Sequence, residues 1–424
     1  MSRSDVRESL ASEADAVVVG AGAAGLATAI FTARARPGLR VVCFDGARTV
    51  GAKILISGGT RCNVTNRVVT ERDFWGGRSR AVKAVLRAFP AERAADFFAE
   101  IGVNLHEEEG GKLFPDSNLA RTVLDALLAE CARLGVAIAT SQRVEDIRPA
   151  DGVLHVVTRD QVVTAPVVVL ATGGCSVPKS GSDGFGYELA RRLGHGHVPV
   201  TPALVPLVLS DGVHARLSGV SHAADISLIG GAQPGRWRGQ LLWTHFGASG
   251  PVVLDASRHW LRAVHDGRTA ELVLNLLPGE TVESLERLLV DATERHPRRA
   301  LGSFFRSRLP AAVAATWVEQ AGLAPALPIG QLSRGARRKL AESLIRSPLD
   351  VRGSRGFNYA EVTAGGVPLD EIDPATMVSR VREGLYLVGE VLDIDGRLGG
   401  FNFQWAWASG FVAGQAIARR AAQL

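Results

Sequence analysis

A glycine pattern behind a short apolar segment constrains the fold of this chain more than any other feature. Residues 16–19 are alanine and three valines, and Gly20, Gly22 and Gly25 follow in the spacing G-x-G-x-x-G, ahead of a helical stretch of small residues. In this setting the first glycine permits a tight turn, the second lets the backbone approach a diphosphate, and the third lets the helix pack closely on the strand. The pattern predicts a strand, turn and helix that bind a dinucleotide.

Glycines also follow later predicted strands, where they let the backbone pass close to a ligand. A second predicted strand, residues 40–44, ends in Asp45, where an acidic side chain accepts hydrogen bonds from an adenosine ribose. Residues 167–170 and 385–388 run into glycine-containing loops, and the second loop leads to a helix start near residues 401–402. The N–H groups of such a helix suit the anionic edge of a reduced flavin. Three strands thus end in glycines that let the chain pass close to a ligand. This favours one extended FAD site on a Rossmann-like α/β domain, and an ordinary strand, loop and helix crossover is the alternative.

The middle of the chain differs in texture and predicts an inserted domain. After residue 195, prolines stand between β-branched residues, short apolar segments follow, and helical patterns come last. We expect an FAD-binding domain formed by residues 1–195 and 348–424, with a β-rich insert carrying a helical part at residues 196–347. The predicted strands and helices of the insert are residues 224–229, 272–276, 283–289 and 301–317.

No second G-x-G-x-x-G follows a strand in this sequence. The glycines of residues 181–186 come after a loop and lack that context. A domain dedicated to NADH or NADPH is therefore not predicted, and a nicotinamide donor has to visit the flavin through the cleft that the substrate uses. Alternate use of one cleft implies a ping-pong cycle, with the insert covering the flavin and excluding water.

Composition excludes several classes of protein. With 46% hydrophobic residues the chain is not a disordered one. Its four cysteines show no C-x-x-C pair or zinc spacing, so neither a metal site nor a dithiol is predicted. The first 14 residues lack the apolar region of a secretory signal, and no apolar run approaches the roughly 20 residues of a membrane span. We expect a cytoplasmic protein without a membrane partner, and the sequence leaves the oligomeric state open.

Several long motifs, in a fixed order, resemble one flavoprotein family. The chain is similar to the BaiN/RdsA-type (YhiN-like) NAD(P)/FAD-dependent oxidoreductases, also known as the aminoacetone oxidase family, over almost its whole length after residue 14. Thr60 and Asp45 depart from the family pattern, which more often has glycine and glutamate at these positions. The motifs that carry the resemblance are residues 51–66, 171–174 with Ser176 and Pro178, 244–251, 362–367, 389–396 and 399–402.

The resemblance implies that residues 53–66 wrap the flavin side of the cofactor. Ser57, Asn63 and loop amides then hydrogen-bond the ring or the diphosphate, and Lys53 and Arg61 supply charge; a solvated loop held by its own turns is the alternative. The residues predicted to bind FAD are Gly20, Gly22, Ala24, Gly25, Asp45, Gly46, Lys53, Ser57, Gly58, Gly59, Arg61, Asn63, Val144, Ala171, Thr172, Gly173, Gly389, Glu390, Asp395, Gly399, Gly400, Phe401 and Asn402.

Three residues are candidates for a catalytic role: Lys53, Arg61 and His245. His245 has the chemistry to protonate a substrate carbon after hydride arrives, and a core histidine is the alternative. Cys62 and Cys175 are interpreted as small structural residues, because the cysteine pair of a disulfide reductase is missing. The aromatic residues 401, 403, 405 and 407 alternate at a helix start and predict either flavin-side packing or core.

The favoured function is an NAD(P)H-driven reductase that passes hydride through flavin N5 to an electron-poor C=C bond of a small molecule. The family implies a second substrate class, a uridine of ribosomal RNA that is reduced to dihydrouridine. An amine or aminoketone oxidase that uses oxygen, and an RNA-associated assembly factor with structural FAD, remain as alternatives.

Positive charge is concentrated in the insert. Residues 200–346 hold 17 lysines and arginines and 12 aspartates and glutamates, an excess equal to the net charge of +5 of the whole chain. A basic rim would suit the phosphates that flank an exposed base, and a solvated helical face is the alternative. The clustered residues, on segments predicted as helices, are Arg295, Arg298, Arg299, Arg306, Arg308, Arg334, Arg337, Arg338 and Lys339.

Overall fold

The computed structural model describes residues 12–210, 212–232 and 234–422, so most of the N-terminal segment examined for a secretory signal lies outside the described residues. The chain divides into a first unit, residues 1–200 with 361–424, and a second unit, residues 201–360. The second unit extends beyond the expected boundary at residue 347, because the strands Ser347–Leu349 and Val351–Ser354 pair within its sheet.

A five-stranded parallel sheet lies at the centre of the first unit. Every residue of its middle strand is buried, which is typical of parallel strands covered on both faces. Because this strand is the middle one of the sheet, the turn after it lies between the ends of the two neighbouring strands, as in dinucleotide-binding folds. The predicted Rossmann-like fold class is confirmed. In order across the sheet, the strands are Leu385–Leu387, Val168–Leu170, Ala16–Val19, Val41–Phe44 and Ala137–Ala139.

Two helices from opposite ends of the sequence pack against each other in the first unit. They are Ala23–Ala35 and Phe401–Ala421. A Cβ atom at Gly410 would lie 2.9 Å from the carbonyl oxygen of Ala24, and one at Gly414 would lie 2.8 Å from the backbone nitrogen of Thr32. Only glycine allows this approach, and the matched positions advance in the same direction, so the two helices run parallel.

The remaining elements of the first unit surround this framework. A strand at its boundary, Val198–Ala203, pairs with Val362–Gly366. Its other helices are Ala52–Thr60, Ser79–Ala88, Ala91–Glu100, Ala120–Arg133 and Phe185–Arg192. The antiparallel strands are Val144–Ala150, Val153–Thr158 and Val162–Ala165 in one sheet, Thr65–Asn66, Leu105–Glu108 and Lys112–Pro115 in another, and the pair Phe74–Gly76 and Ile394–Gly396.

The second unit is built on an antiparallel sheet of seven strands with helices, as the predicted β-rich insert with a helical part requires. The helix predicted at residues 301–317 is instead two helices, because Pro310 fits a helix start but not a helix interior. The helices are Pro251–His265, Val282–Arg295, Leu301–Phe305, Ala311–Gln320 and Arg334–Ile345. In sheet order the strands are Ser347–Leu349, Ala270–Asn275, Ser221–Gly230, Gly235–Thr244, Gly247–Ser249, Leu207–Leu209 and Val351–Ser354.

Each unit has its own hydrophobic core. The core of the first unit joins residues from both ends of the chain, and that of the second unit lies between its sheet and helices. Separate cores are what distinct domains require. Among the described residues, none of the helices combines the length and apolarity needed to cross a membrane.

Candidate flavin site

The three glycines of the first turn occupy different surroundings. A Cβ atom at Gly25 would collide with the carbonyl oxygen of Gly20, so this glycine is required for close packing of the helix on the strand. A Cβ atom at Gly22 would meet no atom within 4 Å. Gly22 caps the helix Ala23–Ala35, so the open space lies at a helix N-terminus, where unpaired N–H groups attract phosphate oxygens.

The glycine-opened strand ends of the first unit approach one another closely. A Cβ atom at Gly20 would lie 2.5 Å from the carbonyl oxygen of Ala171, and one at Gly389 would lie 2.7 Å from the Cβ atom of Ala24. Gly173, just after Ala171, would likewise bring a Cβ atom into collision with a neighbouring serine hydroxyl. Three segments that are far apart in sequence therefore meet beside the first helix, as one extended cofactor site requires.

Asp45 follows the second strand of the sheet and is held in place by the backbone. Its Oδ2 accepts a hydrogen bond of 2.8 Å from the N–H of Ala21, and its Oδ1 accepts one of 2.8 Å from Ala47. The carboxylate is thus fixed beside the glycine turn. Gly46 is exposed next to it, whereas Val144 is buried in the core, so any contact of Val144 with a cofactor would involve its backbone.

Two buried polar atoms of the predicted FAD-binding residues have no hydrogen-bond partner among the described residues. They are Oδ1 of Asn63 and Oγ1 of Thr172. An unsatisfied buried acceptor or hydroxyl costs about 1–3 kcal/mol, and native proteins rarely tolerate one without reason. A bound FAD carries both donors and acceptors and would supply the missing partners, so the residues present fit this cofactor.

An ion pair joins the predicted flavin segment to a distant strand end. Lys53 Nζ donates hydrogen bonds to Glu390 Oε2 at 2.5 Å and to Ser176 Oγ at 2.6 Å. The other carboxylate oxygen of Glu390 accepts from Ser176 Oγ at 2.8 Å and from the N–H of Thr363 at 2.9 Å. The Lys53 and Glu390 side chains are 26% and 19% exposed. The ammonium group of Lys53 is therefore fixed in position, and the Glu390 carboxylate balances its charge.

Ser176 and Thr363 were missed as site residues, although both stand in the motifs that carry the family resemblance. Besides contacting Glu390, Thr363 Oγ1 accepts hydrogen bonds from the N–H groups of Cys175, at 2.8 Å, and Ser176, at 3.1 Å. A serine and a threonine in motif segments next to glycines were the available signal. Their shared partner, Glu390, is 27 residues or more away in sequence, so no local pattern predicted the contact.

The segment of residues 53–66 is not a loop throughout, which corrects the prediction. Lys53 lies in the first turn of the helix Ala52–Thr60, and the regular helix is interrupted from Ser57 to Gly59. Ser57 Oγ donates to the carbonyl oxygen of Ile54 at 2.7 Å. Thr60 has φ of +70°, a conformation that glycine adopts easily and a β-branched residue does not. The departure from the family pattern at Thr60 therefore carries backbone strain.

Arg61 is paired within the first unit. Its guanidinium donates to both oxygens of Glu108, at 2.6 Å and 3.2 Å, and lies 4.1 Å from the centre of the Phe114 ring. The hydrogen bond from Arg61 lowers the pKa of Glu108, which keeps this partner ionised. The positive charge predicted for a phosphate or a reduced flavin is thus already directed at a carboxylate.

The last helix begins at Phe401, after Gly400. Phe401 is fully buried, and the side chain of Asn402 both accepts from the N–H of Gly396, at 2.8 Å, and donates to its carbonyl oxygen, at 2.9 Å. The Asn402 amide therefore holds the preceding loop together. The other predicted residues of this segment are the buried Asp395, and Gly399 and Gly400 at the helix start.

The alternating aromatic residues of this helix belong largely to the core. Trp405 and Trp407 are 2% exposed or less, and their ring N–H groups donate to the carbonyl oxygens of Gly389, at 3.2 Å, and Val64, at 2.9 Å. These bonds anchor the helix to two of the segments that border the site. The core alternative is the one that the structure supports.

All four cysteines are free thiols. Burial raises the pKa of Cys62 and of Cys131 to about 12, and it raises the pKa of Cys43 and Cys175 as well. Such thiols are protonated near neutral pH and therefore poor nucleophiles. The cysteines have the character of small structural residues.

His245 lies in the second unit, in the turn between the strands Gly235–Thr244 and Gly247–Ser249. Its side chain is exposed and contacts the ring of Phe246 edge-on, with ring centres 5.1 Å apart. The core alternative for this histidine is therefore wrong. An exposed imidazole keeps the capacity to exchange protons with solvent or substrate.

The basic clusters of the second unit are less helical and less free than predicted. Arg298 and Arg306 lie in turns and not in helices, because the helices nearby end at Arg295 and Phe305. Arg338 lies in a helix but contacts three glutamates, at 2.9, 2.8 and 3.7 Å. Charge that the sequence counts as excess is thus partly compensated in the structure.

Three features define the class of this protein as an FAD-dependent oxidoreductase. They are the Rossmann-like sheet, the glycine-containing strand ends that meet beside the first helix, and the buried polar atoms that an FAD would satisfy. The chain belongs to the HI0933-like family, since the model "HI0933-like protein Rossmann domain" matches residues 14–416. The predicted family membership is confirmed.

Characterised relatives cover nearly the whole chain. It is 34% identical to the ribosomal RNA dihydrouridine synthase of Haemophilus influenzae and 32% identical to the 3-dehydro-bile acid delta(4,6)-reductase of Clostridium scindens, in each case over 95% of this chain and 98% of the relative. Among solved structures, 3-ketosteroid delta1-dehydrogenase from Sterolibacterium denitrificans is 13% identical, with a TM-score of 0.52 over 97% of this chain and 100% of its own. That likeness concerns the fold alone.

Proposed function

We propose that this protein is an NAD(P)H-dependent reductase of electron-poor C=C bonds that are conjugated to a carbonyl group. The observation that carries the proposal is that the described residues contain one dinucleotide-binding sheet and no paired thiols. Bound FAD would be the redox centre and would supply the chemistry of hydride transfer between a nicotinamide and a carbon atom of the substrate.

The residues predicted to bind FAD are proposed to do so from the converging strand ends. Gly22 leaves room for the diphosphate, and Asp45 faces the ribose. Asn63 and Thr172 complete their hydrogen bonds with the cofactor, since no described residue satisfies them. Lys53, fixed by Glu390 and Ser176, would act on the cofactor as a hydrogen-bond donor, since the Glu390 carboxylate balances most of its charge.

Reduction of a conjugated C=C bond needs a proton at one carbon as well as hydride at the other. We assign the proton to His245, whose exposed ring exchanges protons with water. The names of the relatives support this chemistry, because a delta(4,6)-reductase and a dihydrouridine synthase both saturate ring C=C bonds. An electron-poor C=C bond in a ring is thus the substrate class that both relatives share.

The test is anaerobic kinetics on the purified yellow protein. NADH or NADPH should bleach the flavin, a conjugated enone should restore the colour, and double-reciprocal plots should be parallel, as one shared cleft requires. His245→Gln should slow only the second half-reaction and leave the first unchanged. Rapid reoxidation by oxygen with release of peroxide would show an oxidase and overturn the proposal, and so would intersecting lines.

A further inference from the structure

A half-buried arginine of the second unit lies against two aromatic rings. The guanidinium carbon of Arg355 lies 4.4 Å from the centre of the Phe246 ring and 3.9 Å from the centre of the Tyr359 ring. Tyr359 is 54% exposed, one of the most exposed large hydrophobic side chains among the described residues. A tyrosine ring this open is available for a further contact.

The guanidinium of this arginine donates no hydrogen bond to any residue that the structure describes. Its guanidinium carries five N–H donors, and no carboxylate or other acceptor among the described residues takes one. Other arginines of the second unit behave differently: Arg238 donates to Asp225 at 2.6 Å, and Arg216 lies 3.5 Å from Glu319. Ring stacking fixes the plane of the Arg355 guanidinium while leaving its edge unsatisfied.

Backbone hydrogen bonds hold both sides of this cluster. The N–H of Arg355 donates to the carbonyl oxygen of Pro206, and that of Tyr359 to the carbonyl oxygen of Gly356, each at 3.0 Å. The carbonyl oxygen of Phe246 accepts from the N–H of Leu209 at 3.2 Å. The stacked arrangement is therefore set by the fold and does not depend on a ligand to form it.

A planar guanidinium with a free edge matches the two oxygens of a phosphate group. Beside it, the open Tyr359 ring is the kind of surface on which unpaired bases stack. We propose that Arg355 binds a phosphodiester of single-stranded RNA and that Tyr359 stacks an adjacent base. The site lies within the second unit and requires no redox step, so it stands or falls independently of the proposed reductase activity.

The test measures binding of a labelled single-stranded RNA oligonucleotide to the flavin-loaded protein at several salt concentrations. Arg355→Ala should weaken binding at least tenfold and lower the slope of log K against log salt by about 0.7, the value for one phosphate contact on a single strand. Arg355→Lys should restore part of the slope but not the affinity, because it keeps the charge and loses the fork.

Tyr359→Ala should weaken binding about tenfold without changing the salt slope, whereas Tyr359→Phe should bind normally, since stacking needs only the ring. Arg216→Ala is the matched control: it removes an exposed arginine of the same unit that faces a carboxylate, and it should change neither quantity. Flavin content and melting temperature report whether each variant is folded.

Unchanged RNA binding in Arg355→Ala would overturn the proposal, as would a wild-type protein that binds no RNA at low salt. Equal loss of duplex and single-stranded RNA in Tyr359→Ala would overturn the stacking assignment. If Arg355→Ala leaves RNA binding intact and raises KM for a carboxylate-bearing enone, the anion belongs to a small molecule and the RNA assignment is wrong.

Discussion

Two cations of the first unit and one of the second differ in the groups that face them. In the first unit, Lys53 and Arg61 each lie within 2.6 Å of a carboxylate oxygen, supplied by Glu390 and Glu108. In the second unit, Arg355 is stacked between aromatic rings and has no carboxylate partner among the described residues. A paired cation contributes much less to the field around a protein than a free one. The comparison teaches that a count of basic residues does not tell which charges are available to a ligand.

The largest expected effect concerns the first unit and separates its role from that of the second. Gly22→Val should give a colourless protein, because the side chain would fill the space proposed for the diphosphate, whereas its Cβ atom would meet no protein atom within 4 Å. Since bound ligand stabilises the native state, its unfolding free energy should fall to that of the wild-type apoprotein, about 2.7 kcal/mol lower at FAD one hundred times above its Kd.

Gly353→Val is the control, because an added Cβ there also meets no atom within 4 Å and the residue lies in a strand that tolerates valine. It should keep its flavin. Binding of single-stranded RNA should survive in the Gly22→Val protein, which would sharpen the contrast between the units. A yellow Gly22→Val protein with full flavin occupancy would contradict the placement of the diphosphate.

A smaller effect is expected from the two paired cations of the first unit. Lys53→Met leaves the partly buried Glu390 carboxylate without its ammonium partner and should cost about 1–3 kcal/mol of unfolding free energy. Arg61→Ala breaks a more exposed pair and should cost about 1 kcal/mol or less. Urea unfolding of both variants measures the difference.

The double variant Lys53→Met with Glu390→Gln provides the internal check on that difference. It should recover part of the stability lost in Lys53→Met, since no carboxylate is then left uncompensated. Glu390→Gln is measured alone as well. If the losses of unfolding free energy in Lys53→Met and Glu390→Gln add up to that of the double variant, the ion pair contributes nothing to the stability of this site.

The smallest effect concerns two arginines of the second unit. It tests whether an arginine without a carboxylate partner contributes more to RNA binding than one that is paired with glutamates. Arg298 is exposed in a turn, and no partner for it is found among the described residues. Arg338 donates to Glu286 and Glu342, which raises its own pKa. Arg298→Ala should lower the salt slope of RNA binding by up to about 0.7 if that arginine contacts phosphate, whereas Arg338→Ala should leave it unchanged. The reverse order would break the distinction between paired and free cations.

Much of the first unit was predictable because its signals are local. The spacing of Gly20, Gly22 and Gly25 behind an apolar strand encodes a turn and a helix start within ten residues. The strand predicted at residues 167–170 is found at Val168–Leu170. The insert was less predictable: its return to the first unit was placed too early, because short edge strands such as Val351–Ser354 have little pattern of their own.

The sequence by itself determined the family, the Rossmann-like class and the FAD cofactor, since glycine spacing and apolar runs act over a few neighbouring residues. Only the tertiary structure decided which charges are free. Lys53 meets Glu390 across 337 positions of sequence, and Arg355 meets Phe246 across more than a hundred, so no local pattern records either contact. Interactions between exposed charges are largely screened beyond about 10 Å, and the distances between charges are set by folding.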